Sequence, residues 1–229
     1  MRLQGVLVPG RVRRRLNRFA VEVETEGGPA VAHLANSGRL TELLQPGTRA
    51  LLRPAPAGLR RTTYDLALVW YAGGWVSVDA RLPNAVVAEA LAKGALAPFR
   101  GYPQVRREVR WGECRLDFLL EGPQGRCLLE TKSVTLVEAG CALFPDAPTL
   151  RGARHVRTLT AARLAGERAA VLFLIQRPDA TRFRPHPTAD PALLAALREA
   201  AAAGVELYAY RCVVSPEAME VLDAVPVEV

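Results

Sequence analysis

Arg115-Leu116-Asp117-Phe118-Leu119-Leu120, followed ten residues later by Glu130-Thr131-Lys132, is the stretch on which the fold turns. Side chains alternate faces along a strand, so Glu130 and Lys132 point the same way. A hairpin made of residues 114–120 and 126–132 brings Asp117 across from Glu130. Two carboxylates with the Thr131 carbonyl between them form a hard-oxygen site suited to Mg²⁺ or Mn²⁺. The Lys132 ammonium beside it can orient or deprotonate a water for attack on phosphorus. The competing reading is an ordinary cross-strand ion pair. Context favours the site, because Asp117 and Glu130 sit in otherwise apolar strands where an unpaired carboxylate is costly.

Outward from this hairpin the pattern alternates helix and strand. Pro83-Asn84 opens a helix through Val86, Val87, Ala90 and Leu91 that stops at Gly94. Residues 105–111 read as a strand, and Thr149 caps a helix over 150–164. Residues 169–175 read as a central strand covered on both faces. Asp190-Pro191 starts a helix ending at Gly204, residues 205–211 form a strand, and Ser215-Pro216 starts a last helix. The expected order is α-β-β-β-α-β-α-β-α, a mixed sheet with helices on its faces.

Upstream the chain reads as β structure. Residues 19–25 and 30–35 alternate around a Glu26-Gly27-Gly28-Pro29 turn, and further strands cover 49–53, 64–71 and 75–80. That spacing fits a small barrel of the oligonucleotide-binding (OB) type. The predicted class is therefore α/β (α+β overall), with an OB-like barrel over residues 1–80 and a mixed-sheet domain over 81–229.

The αβββαβ order with Asp117 and Glu130-x-Lys132 resembles the PD-(D/E)XK nuclease fold. Three further motifs narrow the resemblance: Asn36-Ser37-Gly38-Arg39-Leu40, the extension Ser133-Val134-Thr135-Leu136 of the Glu130 strand, and the run from Phe144-Pro145-Asp146 through Arg151-Gly152-Ala153-Arg154-His155. Together they closely resemble the sugar fermentation stimulation protein A (SfsA) family over nearly the whole chain. The resemblance implies an OB barrel joined to a nuclease-like domain, DNA binding, and a nuclease-type site at Asp117, Glu130 and Lys132. Leu116 replaces the Pro that precedes the first Asp in the broader nuclease pattern, and Thr131 is polar where an apolar residue is frequent. Folds of this type often carry an acid on the first helix. Glu89 is the candidate, although Glu89 and Lys93 also have the spacing of a helical ion pair.

Charge divides the chain in two. The net charge is +7, and residues 1–61 account for all of it with 11 Arg against 4 Glu. Arg13, Arg14, Arg15 and Arg18, with Arg60 and Arg61, repel one another unless an anion screens them, and guanidinium matches phosphate. These six are expected to contact nucleic acid, single- or double-stranded. Phe19 and Tyr64 are near enough to stack on bases, although a core position accounts better for Phe19. Arg151, Arg154, His155 and Thr158 share one face of the 150–164 helix, with Ala153, Val156 and Leu164 facing away. Arg151 and His155 are the phosphate contacts expected there, with a structural role as the alternative for His155.

Only Lys93 and Lys132 break a run of 28 Arg among the 30 basic residues. Arg would serve a surface ion pair equally well, whereas a compact ammonium beside a metal site is harder to replace.

Other classes are excluded. The longest purely apolar run, residues 169–175, is far short of a membrane helix. Residues 1–10 lack the apolar stretch of a secretory signal, so a cytoplasmic location is expected. The four Cys show no metal-thiolate spacing. The leading expectation is a DNA-binding phosphodiesterase using Mg²⁺ or Mn²⁺, with a homodimer as one option for assembly. The rivals are a non-catalytic DNA-binding or regulatory protein on a nuclease scaffold, and a phosphodiesterase of small nucleotides.

Overall fold

The computed structural model describes every residue except Pro56, Ala57, Leu59, Arg60 and Arg61. The expected contacts of Arg60 and Arg61 therefore lie outside the described residues.

Six strands open the chain: β1 (Val8–Asn17), β2 (Ala20–Thr25), β3 (Gly28–His33), β4 (Arg49–Pro54), β5 (Tyr64–Tyr71) and β6 (Gly74–Ser77). They are ordered β3-β2-β1-β4-β5-β6, and a parallel β3–β5 pairing at Ala32–Tyr64 and His33–Asp65 closes the first five into a barrel. Closure removes the free edges that an open sheet would present. Val12, Val21, Val23, Leu34, Leu52 and Leu66 fill the interior. The strand that organises the barrel is one the sequence pattern did not announce. β1 pairs with both β2 and β4, yet Val12 is its only fully buried residue, and its arginines hide the alternation. Phe19 is 47% exposed, so it lies outside the core expected for it.

The second unit runs α1 (Pro83–Ala92), a 3₁₀ turn, β7 (Gln104–Trp111), β8 (Cys114–Gly122), β9 (Gly125–Val134), β10 (Leu136–Glu138), β11 (Cys141–Phe144), α2 (Leu150–Leu164), β12 (Arg168–Ile175), β13 (Arg182–Pro185), α3 (Pro191–Ala202), β14 (Glu206–Val214) and β15 (Met219–Val225). The large sheet is ordered β15-β14-β12-β9-β8-β7, with β12 parallel to β9 and β14 at its centre. Every residue of β12 after Arg168 is buried, as a strand covered on both faces requires. Val86, Val87 and Ala90 of α1 pack on one face against Phe118, Leu120, Leu129 and Leu172. Val156 and Leu159 of α2, with Leu193, Leu197 and Ala200 of α3, pack on the other against Leu128, Val171 and Phe173. β10, β11 and β13 form a small separate sheet.

Two expectations fail locally. Ser215-Pro216 opens no helix; the Ser215 hydroxyl accepts the Glu217 and Ala218 N–H groups in a turn leading into β15. A serine cap satisfies turn donors as readily as helix donors, and antiparallel pairing with β14 decides between them. Leu164 is 74% exposed, because the buried stripe of α2 passes through Leu159 and Ala162 and leaves Leu164 on the outer face. The opening residues Met1–Leu3 also pair with Glu217–Met219, beside the large sheet and not in the barrel.

Asp190 ties two helices together. One carboxylate oxygen accepts Leu193 N–H at 2.9 Å as the cap of α3, and the other accepts Thr149 N–H at 2.7 Å at the start of α2. Asp190→Ala is expected to cost about 1–2 kcal/mol. The check is a lower denaturation midpoint at unchanged slope in urea.

All four cysteines are buried free thiols, and burial pushes Cys127 and Cys212 up to about 12, far from a reactive thiolate.

Candidate metal and nucleic-acid site

β8 and β9 pair in antiparallel register from the Gly122–Gly125 end as far as Phe118–Leu129, and the pairing stops there. Asp117 and Glu130 are the next residues, so both carboxylates emerge where the two strands cease to exchange backbone bonds. The Asp117 side chain takes over from its backbone: Oδ2 accepts the Thr131 N–H at 2.7 Å, and Oδ1 accepts Asn84 Nδ2 at 2.7 Å from the first turn of α1. N–H and C=O of one strand residue point to the same side, so the Thr131 carbonyl also faces the β8 side where Asp117 sits.

Glu130, 3% exposed, carries a denser set of contacts. Its Oε1 lies 2.6 Å from Lys132 Nζ and 2.5 Å from His155 Nδ1, and its Oε2 is 3.4 Å from the Asp117 N–H. Burial opposes ionisation of Glu130, but the hydrogen bonds from His155 and Lys132 outweigh it and hold the carboxyl below its ordinary range. Asp117 differs. Burial first, and then the Glu130 charge, push its carboxyl up against the pull of Thr131 and Asn84, and it forms no ion pair among the described residues. A Glu130–Lys132 ion pair therefore accounts for one carboxylate, while the other has hydrogen bonds but no ion-pair partner among the described residues.

The donor chemistry fits a hard divalent cation. Asp117, Glu130 and the Thr131 carbonyl supply oxygen only, and among the described residues no group of three or more His, Cys, Asp or Glu gathers as a metal cage. Mg²⁺ and Mn²⁺ suit such a sparse set, since Mg²⁺ keeps several waters and takes only one or two carboxylates besides substrate phosphate.

The surrounding cleft, about 230 Å³, is lined by Asn84, Asp117, Glu130, Lys132, Ser133 and Arg151 among others. Arg151 stands on the exposed face of α2, with Nε 3.3 Å from His155 Nε2. His155 itself is 2% exposed, which corrects its expected place on a solvent-facing basic surface. Its ring faces Glu130 because α2 packs its Gly152–Ala153, His155–Val156 and Leu159 stripe against the sheet. Glu89 lies elsewhere. It pairs with Lys93 at 2.5 Å and with the amino terminus at 3.1 Å, lining a separate cleft with Glu220 and Val221. The helical ion pair, not the extra acid, is what the structure contains.

The arginines of β1 are less free than their count implies. Arg14 pairs with Glu22 at 2.6 Å and Arg13 with Glu24 at 3.2 Å across the β1–β2 ladder. The Arg14 hydrogen bond holds Glu22 below the ordinary carboxylate range. Arg15 donates to the carbonyls of Asn17, Arg18 and Arg39, which makes it a clip for two loops. Arg18 forms no ion pair among the described residues; its guanidinium lies 5.4 Å from the Phe19 ring centre and lines a recess next to the carboxylates.

Two family domains match this chain. A domain described as "SfsA N-terminal OB domain" matches residues 14–78, and one described as "Sugar fermentation stimulation protein RE domain" matches residues 81–218. The chain belongs to the SfsA family. A sugar fermentation stimulation protein homolog of Moorella thermoacetica is 51% identical over 216 residues, covering 93% of either chain. One from Chloroflexus aurantiacus is 47% identical over 221 residues, covering 96% of this chain and 85% of its own. Among solved structures, that of Pyrococcus furiosus SfsA in complex with Ca²⁺ is 33% identical, covers both chains fully and superposes with a TM-score of 0.89.

Within this SfsA-family chain, sequence reasoning missed Asn84 and Ser133. Asn84 was legible only as a helix-opening residue after Pro83, since its contact with Asp117 spans 33 positions. Ser133 follows Lys132 directly but carries no chemical signal of its own.

Proposed function

We propose that the protein binds nucleic acid and hydrolyses its phosphodiester backbone with the help of Mg²⁺ or Mn²⁺. The observation that carries this reading is the opening between β8 and β9 after Phe118–Leu129, with Asp117 in the gap and Glu130, Lys132 and the Thr131 carbonyl around it. Asp117, Glu130 and the Thr131 carbonyl would hold the cation. When bound, it supplies the Lewis-acid chemistry that makes phosphorus open to attack. Asn84 and the Thr131 N–H fix the Asp117 carboxylate, and His155 fixes Glu130. Lys132 orients the attacking water, and Arg151 at the positive end of α2 meets phosphate charge. The Ca²⁺ held by the Pyrococcus furiosus relative supports a hard-cation role for this fold.

The barrel would hold the strand. Exposed ion pairs such as Arg14–Glu22 are worth about 0–1 kcal/mol, so a phosphate can displace the glutamates and recruit Arg13 and Arg14 alongside Arg18. DNA is the substrate we assign. The competing reading, a DNA-binding regulator without turnover, draws on the direct Lys132–Glu130 contact at 2.6 Å.

Thermal denaturation with and without Mn²⁺ tests the cation site. At a hundredfold excess over its dissociation constant the cation stabilises by about 2.7 kcal/mol, a rise of roughly 5–10 °C for a chain of this size. In Asp117→Asn that rise is expected to vanish. Without cation, the same variant should melt no lower than wild type near neutral pH. The folded Asp117 carboxyl is raised, so its stability contribution is lost as pH rises, and the variant removes that buried charge. Equal Mn²⁺ shifts in both proteins would sink the assignment.

A further inference from the structure

Beside the carboxylate cleft lies a second recess, of about 210 Å³, between the barrel and the large sheet. The two share Ala80, Ser133, Phe144 and Thr149, so they lie side by side. One wall is barrel, with Arg18, Asn36, Ser37 and Gly38; the other is the segment from Phe144 to Thr149.

The walls are built to meet. Leu40 N–H donates to Asp146 Oδ2 at 2.6 Å, closing the recess on that side. A Cβ on Gly38 would stand 2.9 Å from the same oxygen and 3.1 Å from Asn36 Oδ1, so the close approach needs glycine. Leu40 holds φ +52°, a left-handed conformation that costs a leucine about 1–2 kcal/mol. Strain of this kind collects at ligand clamps.

The polar groups facing the recess have capacity left. Asn36, 9% exposed, spends its Oδ1 on the Gly38 N–H, and its amide nitrogen has no hydrogen bond among the described residues. Ser133 Oγ accepts from Gln176 Nε2 at 2.9 Å, which leaves its own proton to donate. Arg18 brings a guanidinium without an acidic partner among the described residues. Donors for phosphate and for base edges, with the Asp146 carboxylate as an acceptor, thus line a recess walled on both sides. A duplex would have to shed its partner strand to enter it.

We propose that this recess receives one unpaired nucleotide of the strand being cut, so that the protein selects single-stranded polynucleotide over duplex. The proposal rests on the hydrolytic reading above, but its test does not need turnover. Binding of a fluorescein-labelled oligodeoxynucleotide and of the blunt duplex of the same sequence is measured by anisotropy in EDTA, for the full chain. The single strand should bind more tightly. Ser37→Trp, at an exposed position on the rim, should weaken single-strand binding about tenfold, the share of one base contact, and leave duplex binding unchanged. Arg18→Ala, a second variant that spares the core, should lower the log–log salt slope for the single strand by about 0.7.

Equal affinity for both substrates, or a Ser37→Trp protein of unchanged melting temperature that binds the single strand within twofold of wild type, overturns the recess. Cleavage with Mn²⁺ separates the two ideas. Strand preference without cleavage fails the hydrolytic reading alone, and indiscriminate cleavage of duplex fails the recess alone.

Discussion

Lys132→Met is expected to lower Mn²⁺-dependent cleavage of DNA at least about 10²-fold while leaving DNA affinity in EDTA unchanged. The thioether fills the same volume, so the loss isolates the ammonium, which sits 2.6 Å from Glu130 on the strand that carries both. Arg cannot stand in, because its planar fork spreads the charge away from the single point where a water must be oriented. Lys132→Arg is therefore expected to remain inactive. Glu89→Gln is the control, since Glu89 lines another cleft and should cut at the wild-type rate. Gel assays on plasmid and oligonucleotide read all three. If Lys132→Met cuts as fast as wild type, the lysine is half of an ion pair and nothing more.

The same variant carries a stability signature. Glu130 is held ionised below its ordinary range, so the stability it contributes is present above the unfolded carboxylate value of about 4.3 and is lost as pH falls through its lower folded value. Removing Lys132 leaves His155 as the main group against the burial penalty. The variant's deficit should be greatest near neutral pH and should shrink in acid, where a protonated Glu130 needs no cation.

The largest structural effect is expected at Arg177. This side chain is 1% exposed, yet every part of it is engaged. It grips Asp179 through two bonds of 2.7 and 2.6 Å, donates to the Thr135 carbonyl at 3.0 Å and lies 3.5 Å from Glu42. Its guanidinium also sits over the Tyr71 ring at 4.9 Å. Glu42 and Tyr71 belong to the barrel unit, whereas Asp179 and Thr135 belong to the sheet unit, so one cation bridges both. Arg177→Met should cost about 3–5 kcal/mol, because it leaves Asp179 and the Thr135 carbonyl without their partner. That corresponds to a fall of roughly 6–20 °C in melting temperature. Glu42, whose carboxyl burial already pushes up, loses the cation that opposes the rise. A loss under 1 kcal/mol would mean that the two units are held together by other contacts.

Legibility in the sequence followed the range of the physics. Asp117, Glu130 and Lys132 could be found because strand alternation is local: residues two apart share a face whatever the rest of the chain does. The α1, α2 and α3 starts were visible for the same reason, each from a proline or a capping side chain. The pairing of Arg13 and Arg14 with Glu24 and Glu22 was not legible, because these partners become neighbours only through the β1–β2 register. His155 was read as basic surface because spacing along a helix says which residues share a face but not which face meets the sheet. Ser215-Pro216 carries a helix start that β14 overrides by offering a hairpin partner.

The sequence alone thus determined the two-part α/β architecture, the strand pair that carries the carboxylates, and the concentration of positive charge in the barrel. These follow from periodicity, turn chemistry and counting, all of which act within a few residues. Tertiary structure decided that β8 and β9 stop pairing at Asp117, that Asn84 and His155 reach the two carboxylates, and that Arg18 lines a recess beside their cleft. Each is a contact between residues 13 or more apart, set by packing and strand register, and nothing in the local sequence carries that information.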